Sequence, residues 1–199
     1  MEQTLADLAK DAGITLTDDV AAALEVYLEM LGRWGTRINL TADPRREIVL
    51  ARQLPDAFQL AALLGEARGT ALDAGAGAGL VAIPLALLMP ELRFTLVEAN
   101  QRKCAFLRAA AHELGLRLEV RAVRFETIED RFALALSRAT WSPEQWVEGG
   151  LKLLEDQGRI VVFTREAPVF PHLDRVGMRE YAIDEGVPRS VSMWRRRSE

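Results

Sequence analysis

The chain has 199 residues, of which 49% are hydrophobic and 27% are charged, and its formal net charge is −4. This length fits one globular domain with an extension but not two enzymatic domains, and the composition excludes a disordered chain. The small negative net charge argues against a protein that binds naked nucleic acid through its overall charge alone.

Three further features of the sequence bear on the compartment in which the protein acts and on whether it holds a disulfide or a metal. The longest apolar runs are far shorter than the roughly 20 residues that span a bilayer, and the first residues lack the basic and then apolar character of a signal peptide. Cys104 is the only cysteine, and no cluster of cysteines and histidines has the spacing of a metal site. We therefore expect a cytoplasmic monomer without membrane contact, disulfide or metal.

The first part of the chain has a helical pattern. Thr17 precedes two acidic residues and is a predicted helix cap, and Gly35 is the predicted end of that helix. Apolar residues recur between them at helical spacing, at Val20, Leu24, Tyr27, Leu28 and Leu31. A second helical stretch covers residues 46–64 and is interrupted or restarts at Pro55, since proline is tolerated best in a first turn. Residues 1–64 are therefore predicted to form an N-terminal helical extension.

From Thr70 the pattern changes to strands that alternate with helices, which is typical of parallel strands joined by helical crossovers. The predicted strands are residues 71–74, 93–98, 117–123, 133–137 and 159–164, and the predicted helices are at about 80–89, 101–114 and 143–154. The third strand alternates apolar and charged residues. It is therefore predicted to lie at an edge of the sheet, because buried parallel strands are usually apolar on both faces.

Two more short strands are predicted after Pro168, at residues 179–183 and 190–195. Their close spacing favours an antiparallel hairpin at the other edge of the sheet. The predicted fold class is thus α/β, a Rossmann-like, mostly parallel sheet of seven strands with an antiparallel C-terminal hairpin, occupying residues 65–199.

A glycine-rich turn lies between the first strand and the helix that follows it. Asp73 ends the strand, and Gly75, Gly77 and Gly79 follow at alternate positions. Glycines allow a tight turn and a close approach of the backbone to a ligand, and the helix start presents free N–H groups. Dinucleotide enzymes use the spacing G-x-G-x-x-G here, whereas an acidic residue before G-x-G-x-G is typical of S-adenosylmethionine (SAM) enzymes. We therefore assign these four residues to SAM binding.

Three later strand ends carry candidate partners of this turn. Glu98 ends the second strand, where a carboxylate can accept both ribose hydroxyls of a nucleoside. Phe125 and Glu126 follow the third strand, where an adenine could stack, although a core aromatic is an equal alternative for Phe125. Arg138 ends the fourth strand and could contact the cofactor carboxylate or an RNA phosphate, with a surface salt bridge as the alternative. His112, His172, Cys104 and the four tryptophans are interpreted as packing or surface residues.

The residues resemble the small-subunit rRNA guanine-N7 methyltransferases of the RsmG family, also called glucose-inhibited division protein B. The resemblance covers most of the chain and is carried by residues 39–41, 72–86, 103–107 and 137–139. It implies a SAM-dependent methyltransferase domain over residues 65–199, and methyl transfer to N7 of a guanine in 16S rRNA, within the small ribosomal subunit or its precursor. It also implies that Gly75, Leu80, Phe125, Glu126 and Arg138 bind the cofactor.

The sequence departs from that family at four places. Gln53 replaces a histidine, Val81-Ala82 replaces Pro-Gly after the glycine turn, Thr140 replaces an aromatic residue, and Thr164-Arg165 replaces Lys-Gly. Two alternatives stay open beside the rRNA enzyme: a methyltransferase with another substrate, and a non-catalytic SAM-binding module associated with the ribosome.

The resemblance also directs attention to arginines that could contact RNA phosphates. The candidates are Arg52, Arg165, Arg195, Arg196 and Arg197. No catalytic base is expected, since guanine N7 has an available lone pair and attacks a methyl group without losing a proton. Catalysis would depend on positioning.

Overall fold

The computed structural model describes residues 3–184 and 186–197. Four helices come first: α1 (Leu5–Ala12), α2 (Asp18–Gly35), α3 (Arg46–Arg52) and α4 (Leu54–Leu64). Strands and helices then alternate through β1 (Gly69–Ala74), α5 (Ala82–Leu88), β2 (Leu92–Val97), α6 (Gln101–Glu113), β3 (Glu119–Arg121), β4 (Phe132–Ser137) and α7 (Pro143–Leu151). Three strands end the chain: β5 (Leu154–Thr164), β6 (Leu173–Ile183) and β7 (Val187–Arg196).

Local capping explains where the N-terminal helices begin. The Thr17 hydroxyl accepts a hydrogen bond from the Val20 amide, which confirms the predicted cap of α2. Thr4 and Asp7 form a capping box that starts α1, a helix that the sequence analysis did not separate from its surroundings. The predicted interruption near Pro55 is the junction of α3 and α4, where proline stands in the first turn of α4 and needs no hydrogen-bond partner.

The seven strands form one sheet in the order β3-β2-β1-β4-β5-β7-β6. The first five strands are parallel, whereas β7 is antiparallel to both β5 and β6. The predicted fold class, the edge position of β3 and the C-terminal hairpin at the opposite edge are all confirmed. Because β1 is central, the turn after it lies in the middle of the carboxyl edge of the parallel strands.

Several predicted boundaries were wrong, and each has a physical reason. Helix α5 begins at Ala82 rather than Leu80, because the glycine turn continues to residue 81. Strand β5 begins at Leu154 rather than Arg159. Leu154 is buried and pairs with Phe132, but exposed polar residues at 155–157 and an irregular register separate it from the apolar half of the strand. Strand β6 begins at Leu173 rather than Arg179. It is an edge strand in which only the two terminal residues are buried, so hydrophobic patterning hides its length.

Alternate residues of the strands enter two apolar layers. One layer joins Ala71 of β1 to buried residues of α1, α2, α4, α5 and α6, and the other joins Leu72 to α7 and the outer hairpin. The helices before residue 65 thus share a continuous core with the sheet, and their status as a separate extension stays a prediction. Among residues 3–184 and 186–197, every helix is too short or too polar to span a bilayer.

Candidate active site

A cavity of about 780 Å³ opens at the carboxyl edge of the parallel strands. Open α/β sheets bind ligands at the carboxyl ends of their parallel strands. The binding point is where successive strands change direction of progress across the sheet, which here is at β1, between β2 and β4. The cavity is lined by residues that follow β1, β2, β3 and β4, together with two segments of the N-terminal helical part and one residue of β7; among them are Leu40, Thr41, Gln53, Asp73, Gly75, Gly77, Leu80, Glu98, Lys103, Phe125, Glu126, Arg138, Thr140, Trp141 and Arg189. The structure therefore brings together eight of the nine residues predicted to bind the cofactor.

Backbone geometry explains the glycines of the turn. Gly75, Gly77 and Gly79 have φ values of +69°, +59° and +75°, which glycine adopts without steric cost. The amides of Gly75 and Ala76 both donate to the carbonyl oxygen of Val97, at 2.8 and 3.0 Å. The turn is thus tied to the end of β2 by backbone hydrogen bonds.

Gly79 is the predicted cofactor residue that the structure does not bring to the cavity. A Cβ at this position would lie 2.8 Å from Cδ1 of Ile83 and 2.9 Å from Cδ2 of Leu107, both core side chains. The glycine therefore permits close packing of the turn on α5 and α6, and its contact with the cofactor stays a prediction. Gly75 is restricted from the other side, because its Cβ would lie 2.5 Å from the Thr140 hydroxyl oxygen.

A side chain of helix α2 forms a hydrogen bond with the glycine-rich turn. The Tyr27 hydroxyl, which is completely buried, donates a hydrogen bond of 2.8 Å to the carbonyl oxygen of Ala78. Burial raises the pKa of Tyr27 well above its usual value, so the phenol remains a donor. The helical part of the chain is in this way connected directly to the glycine-rich turn.

Asp73 is a buried carboxyl group at the floor of the cavity, with 3% of its surface exposed. Burial, together with the nearby negative charge of Glu98, raises the pKa of Asp73 to about 8. The Arg138 guanidinium and a hydrogen bond from the Ala82 amide oppose this shift. A ligand that places a cation here would therefore stabilise the ionised carboxylate.

Glu98 connects the turn to the start of α6. One carboxylate oxygen accepts from the Gly77 amide at 2.9 Å, and the other accepts from the Asn100 amide at 2.8 Å. A carboxylate has about four acceptor positions, so both oxygens can still receive hydroxyl groups from a ligand. These two bonds orient the carboxylate in the cavity, where the sequence analysis placed a ribose partner.

An aromatic cluster forms one wall of the cavity. Phe125 and Trp141 both line it, and their ring centroids are 5.0 Å apart. The buried Trp146 lies behind them, nearly parallel to Trp141 with a centroid distance of 6.0 Å. The interpretation of Trp141 as a packing residue was incomplete, because this ring also faces the cavity. Flat rings at this wall suit a heterocyclic base.

Arg138 lies between the cavity and the protein interior. Its Nε lies 2.5 Å from a carboxylate oxygen of Asp56, whose side chain is only 3% exposed. The Tyr181 hydroxyl donates to the other oxygen of Asp56 at 2.5 Å. The predicted alternative of a surface salt bridge is wrong, since the pair is largely buried, and Arg138 also lines the cavity.

Of the five arginines predicted to contact RNA, only Arg52 lines the cavity. Arg52 lines the cavity and forms a 2.5 Å ion pair with Asp184 in the turn between β6 and β7. Arg165 is exposed just after β5 and lies outside the lining of this cavity.

The three arginines at residues 195–197 lie near the amino ends of the parallel strands, away from the cavity. Strand β7 is antiparallel to β5 and pairs Trp194 with Ile160, so it ends where the parallel strands begin. Arg195 and Arg197 approach Asp174 at 3.9 and 3.6 Å. They lie outside the lining of this cavity, and their contact with RNA phosphates stays a prediction. Arg189, near the start of β7, lines the cavity instead.

The strand order, the reversed seventh strand and the glycine turn with carboxylates at the ends of β1 and β2 define the class: this is a Rossmann-like methyltransferase. The chain belongs to the rRNA small subunit methyltransferase G family (GidB), whose model matches residues 20–168. It is thus a member of a family of SAM-dependent enzymes.

Relatives named ribosomal RNA small subunit methyltransferase G match nearly the whole chain. The protein from Anaeromyxobacter dehalogenans (strain 2CP-C) is 32% identical over 93% of this chain and 93% of its own length. The protein from Escherichia coli O17:K52:H18 is 34% identical over 96% of this chain and 92% of its own length.

Solved structures of low sequence identity share the fold. TrmN from Thermus thermophilus has a TM-score of 0.56 at 20% identity, covering 74% of this chain and 53% of that chain. The mitomycin 7-O-methyltransferase MmcR has a TM-score of 0.59 at 17% identity, covering 97% of this chain and 75% of that chain. TYW2 from P. horikoshii, solved in complex with MeSAdo, has a TM-score of 0.53 at 15% identity, covering 64% of this chain and 56% of that chain.

Proposed function

We propose that this protein transfers a methyl group from SAM to N7 of a guanine in 16S rRNA, within the small ribosomal subunit or its precursor. Family membership supports the reaction and the substrate class. The observation that carries the proposal is the single cavity in which the glycine turn, Asp73, Glu98, Phe125 and Arg138 converge.

The donors and acceptors of the cavity fit the chemical groups of SAM. Asp73 suits the ammonium group of the amino-acid part, and Arg138 suits its carboxylate. Glu98 suits the ribose hydroxyls, and the Phe125 ring suits the adenine. At Gly77 no protein side chain lies within 4 Å of the point where a Cβ would be. A ligand can therefore approach the backbone closely there. When bound, SAM supplies a methyl group on a positively charged sulfur.

The protein's own contribution to the reaction is binding and orientation. Guanine N7 needs no deprotonation, so no side chain is required to remove a proton. The turn and the aromatic wall would align the base with the methyl donor and exclude water, effects that lower the barrier by arranging the reactants beforehand. Arg52, Lys103, Arg124 and Arg189 line the cavity and supply positive charge for the phosphates of an RNA loop.

We propose that the protein acts as a monomer. The proposed substrate would place the protein in the cytoplasm, where ribosomal subunits are made.

A deletion strain tests this function. We expect 16S rRNA from cells that lack the gene to lose one N7-methylguanine, as measured by mass spectrometry of nuclease fragments. The gene supplied on a plasmid should restore the modification. A variant with all three residues 195–197 changed to alanine should restore it as well, because these residues lie near the amino ends of the parallel strands, away from the cavity. Full retention of N7-methylguanine in the deletion strain would contradict the proposal.

A methyltransferase with another substrate is the second candidate, and a specific observation favours it. Three departures from the family pattern, Gln53, Val81 and Thr140, line the cavity. Gln53 is held there by Thr41, whose hydroxyl donates to its side-chain oxygen at 3.0 Å. Transfer of tritium from labelled SAM to rRNA fractions, compared with small-molecule extracts, separates the two candidates.

A further inference from the structure

Asp56 is a buried acidic side chain that the proposed reaction does not use. It stands in the first turn of α4, and both of its neighbours in the chain, Pro55 and Ala57, are also buried. Removing a carboxylate from water is costly unless it is paired and hydrogen-bonded. The feature that compensates this cost is the contact with Arg138 at 2.5 Å and the hydrogen bond from Tyr181 at 2.5 Å.

Three distant parts of the chain meet at this carboxylate. Asp56 comes from the N-terminal helices, Arg138 from the end of β4, and Tyr181 from the outer strand β6. Burial, followed by the proximity of Asp56, raises the pKa of Tyr181, so its hydroxyl keeps the proton that it donates. Among the described residues, Asp56 is the only acidic ion-pair partner of Arg138.

The contact leaves Arg138 free to act on the cavity side. The carboxylate of Asp56 approaches Nε, and the guanidinium still carries N–H donors at its two terminal nitrogens. Its side chain is 23% exposed and lines the cavity near the buried Asp73. A guanidinium fixed from behind loses little conformational freedom when it binds an anion in front, and this increases affinity.

We propose that Asp56 and Tyr181 are positioning residues that hold the Arg138 guanidinium toward the cavity, where it receives the carboxylate of the cofactor's amino-acid group. This inference rests on the proposed function. It extends the cofactor site to helix α4 and to the C-terminal hairpin, because neither Asp56 nor Tyr181 lines the cavity itself.

Calorimetric titration of the full chain with two ligands tests the inference. S-adenosylhomocysteine (SAH) carries the amino-acid carboxylate, and 5′-methylthioadenosine lacks it. We expect Asp56→Asn and Arg138→Ala each to weaken SAH binding by about tenfold or more, as expected for a lost charge-assisted contact. The affinity for 5′-methylthioadenosine should change by less than about twofold, because that ligand has no group for Arg138 to hold.

A double variant separates positioning from a general structural effect. If Asp56 acts through Arg138, Asp56→Asn should weaken SAH binding no further once Arg138 is already alanine. Additive losses, or equal weakening for both ligands, would overturn the inference. Unchanged SAH affinity in Arg138→Ala would also overturn it and would point to an RNA phosphate as the partner of that arginine.

Tyr181→Phe keeps the test decisive if Asp56→Asn does not fold, since it removes one hydroxyl and preserves the ring. We expect it to weaken SAH binding by roughly threefold, the effect of one lost hydrogen bond, and to leave 5′-methylthioadenosine unaffected. Unchanged SAH affinity would count against the role of Tyr181. The control is Asp130→Asn, which removes a carboxylate from an exposed ion pair with Arg121 and should alter neither affinity. If the unaltered protein binds neither ligand, the proposed function fails and not this inference alone.

Discussion

Gly75→Ala is expected to lower the affinity for SAH by about 100-fold, which corresponds to roughly 2.7 kcal/mol. The new methyl group would lie 2.5 Å from Oγ1 and 2.8 Å from Cγ2 of Thr140, closer than such atoms can approach. The backbone at this position also has a φ of +69°, which costs alanine about 1 kcal/mol more than glycine. Either the turn or the segment that carries Arg138 and Trp141 must move, and both line the cavity. Calorimetric titration with SAH measures the effect.

Two further variants isolate the steric part of this effect. Gly13→Ala places alanine at a φ of +74° where nothing lies within 4 Å of the new Cβ, so it should destabilise the fold slightly and leave SAH affinity unchanged. Adding Thr140→Ala to Gly75→Ala removes the two closest atoms and should restore part of the affinity. Binding by Gly75→Ala that equals the unaltered protein would show that the turn does not hold the cofactor.

Asp73→Asn is expected to have opposite effects on cofactor binding and on stability. The asparagine cannot offer a negative charge to the ammonium group of the cofactor, so SAH affinity should fall by about 100-fold. The unaltered protein carries a stability cost at this residue, because burial raises the pKa of Asp73 from 3.8 to about 8.

The sign of the pH dependence follows from this shift. Between pH 4 and 8 the folded state retains a proton that the unfolded state has released, so the free energy of unfolding decreases as the pH rises. The decrease attributable to Asp73 approaches 1.4 kcal/mol per pH unit, on the order of 3 kcal/mol from pH 5 to pH 7. Asp73→Asn has no carboxyl group to titrate, so its stability relative to the unaltered protein should increase steadily over that range.

Urea unfolding of both proteins at pH 5, 6, 7 and 8 measures the difference. Asp130→Asn is the matched control, since Arg121 lowers the pKa of that exposed carboxyl and its titration lies below this range. A difference between Asp73→Asn and the unaltered protein that stays constant from pH 5 to pH 8 would contradict the raised pKa.

Local signals in the sequence were sufficient for most of the fold. The change from helical to alternating patterns at residue 70, the Thr17 cap and the polar alternation of β3 each depend on neighbours in the chain, and each was confirmed. The length of β6 was underestimated because an exposed edge strand needs no hydrophobic face. Its extent is decided by pairing with β7, which is a property of the whole sheet.

The candidate site was predictable where it depends on strand ends, and less so where it depends on distant parts of the chain. Residues that end β1, β2 and β4 meet at one edge in any parallel sheet, so Asp73, Glu98 and Arg138 could be placed together. Gly79 has the same spacing signal as Gly75, and only the packing of Ile83 and Leu107 distinguishes their roles.

The residues that sequence reasoning missed come from elements outside that rule. Asp56 and Tyr181 reach Arg138 from a helix and an edge strand that carry no motif. Trp141 gave no signal beyond following Arg138 closely. Arg189 could have been found, since an antiparallel last strand must begin at the edge where the parallel strands end.

The reaction that we propose for this cavity is transfer of a methyl group from SAM to guanine N7 of 16S rRNA. The most direct measurement incubates the purified protein with SAM carrying a trideuterated methyl group and with small subunits from the deletion strain, followed by mass spectrometry of the nucleosides. We expect trideuterated 7-methylguanosine with the unaltered protein and about 100-fold less with Gly75→Ala, at a cofactor concentration well below the dissociation constant of the unaltered protein. Label in any other nucleoside, or no label in the rRNA of subunits or their precursors, would contradict the claim.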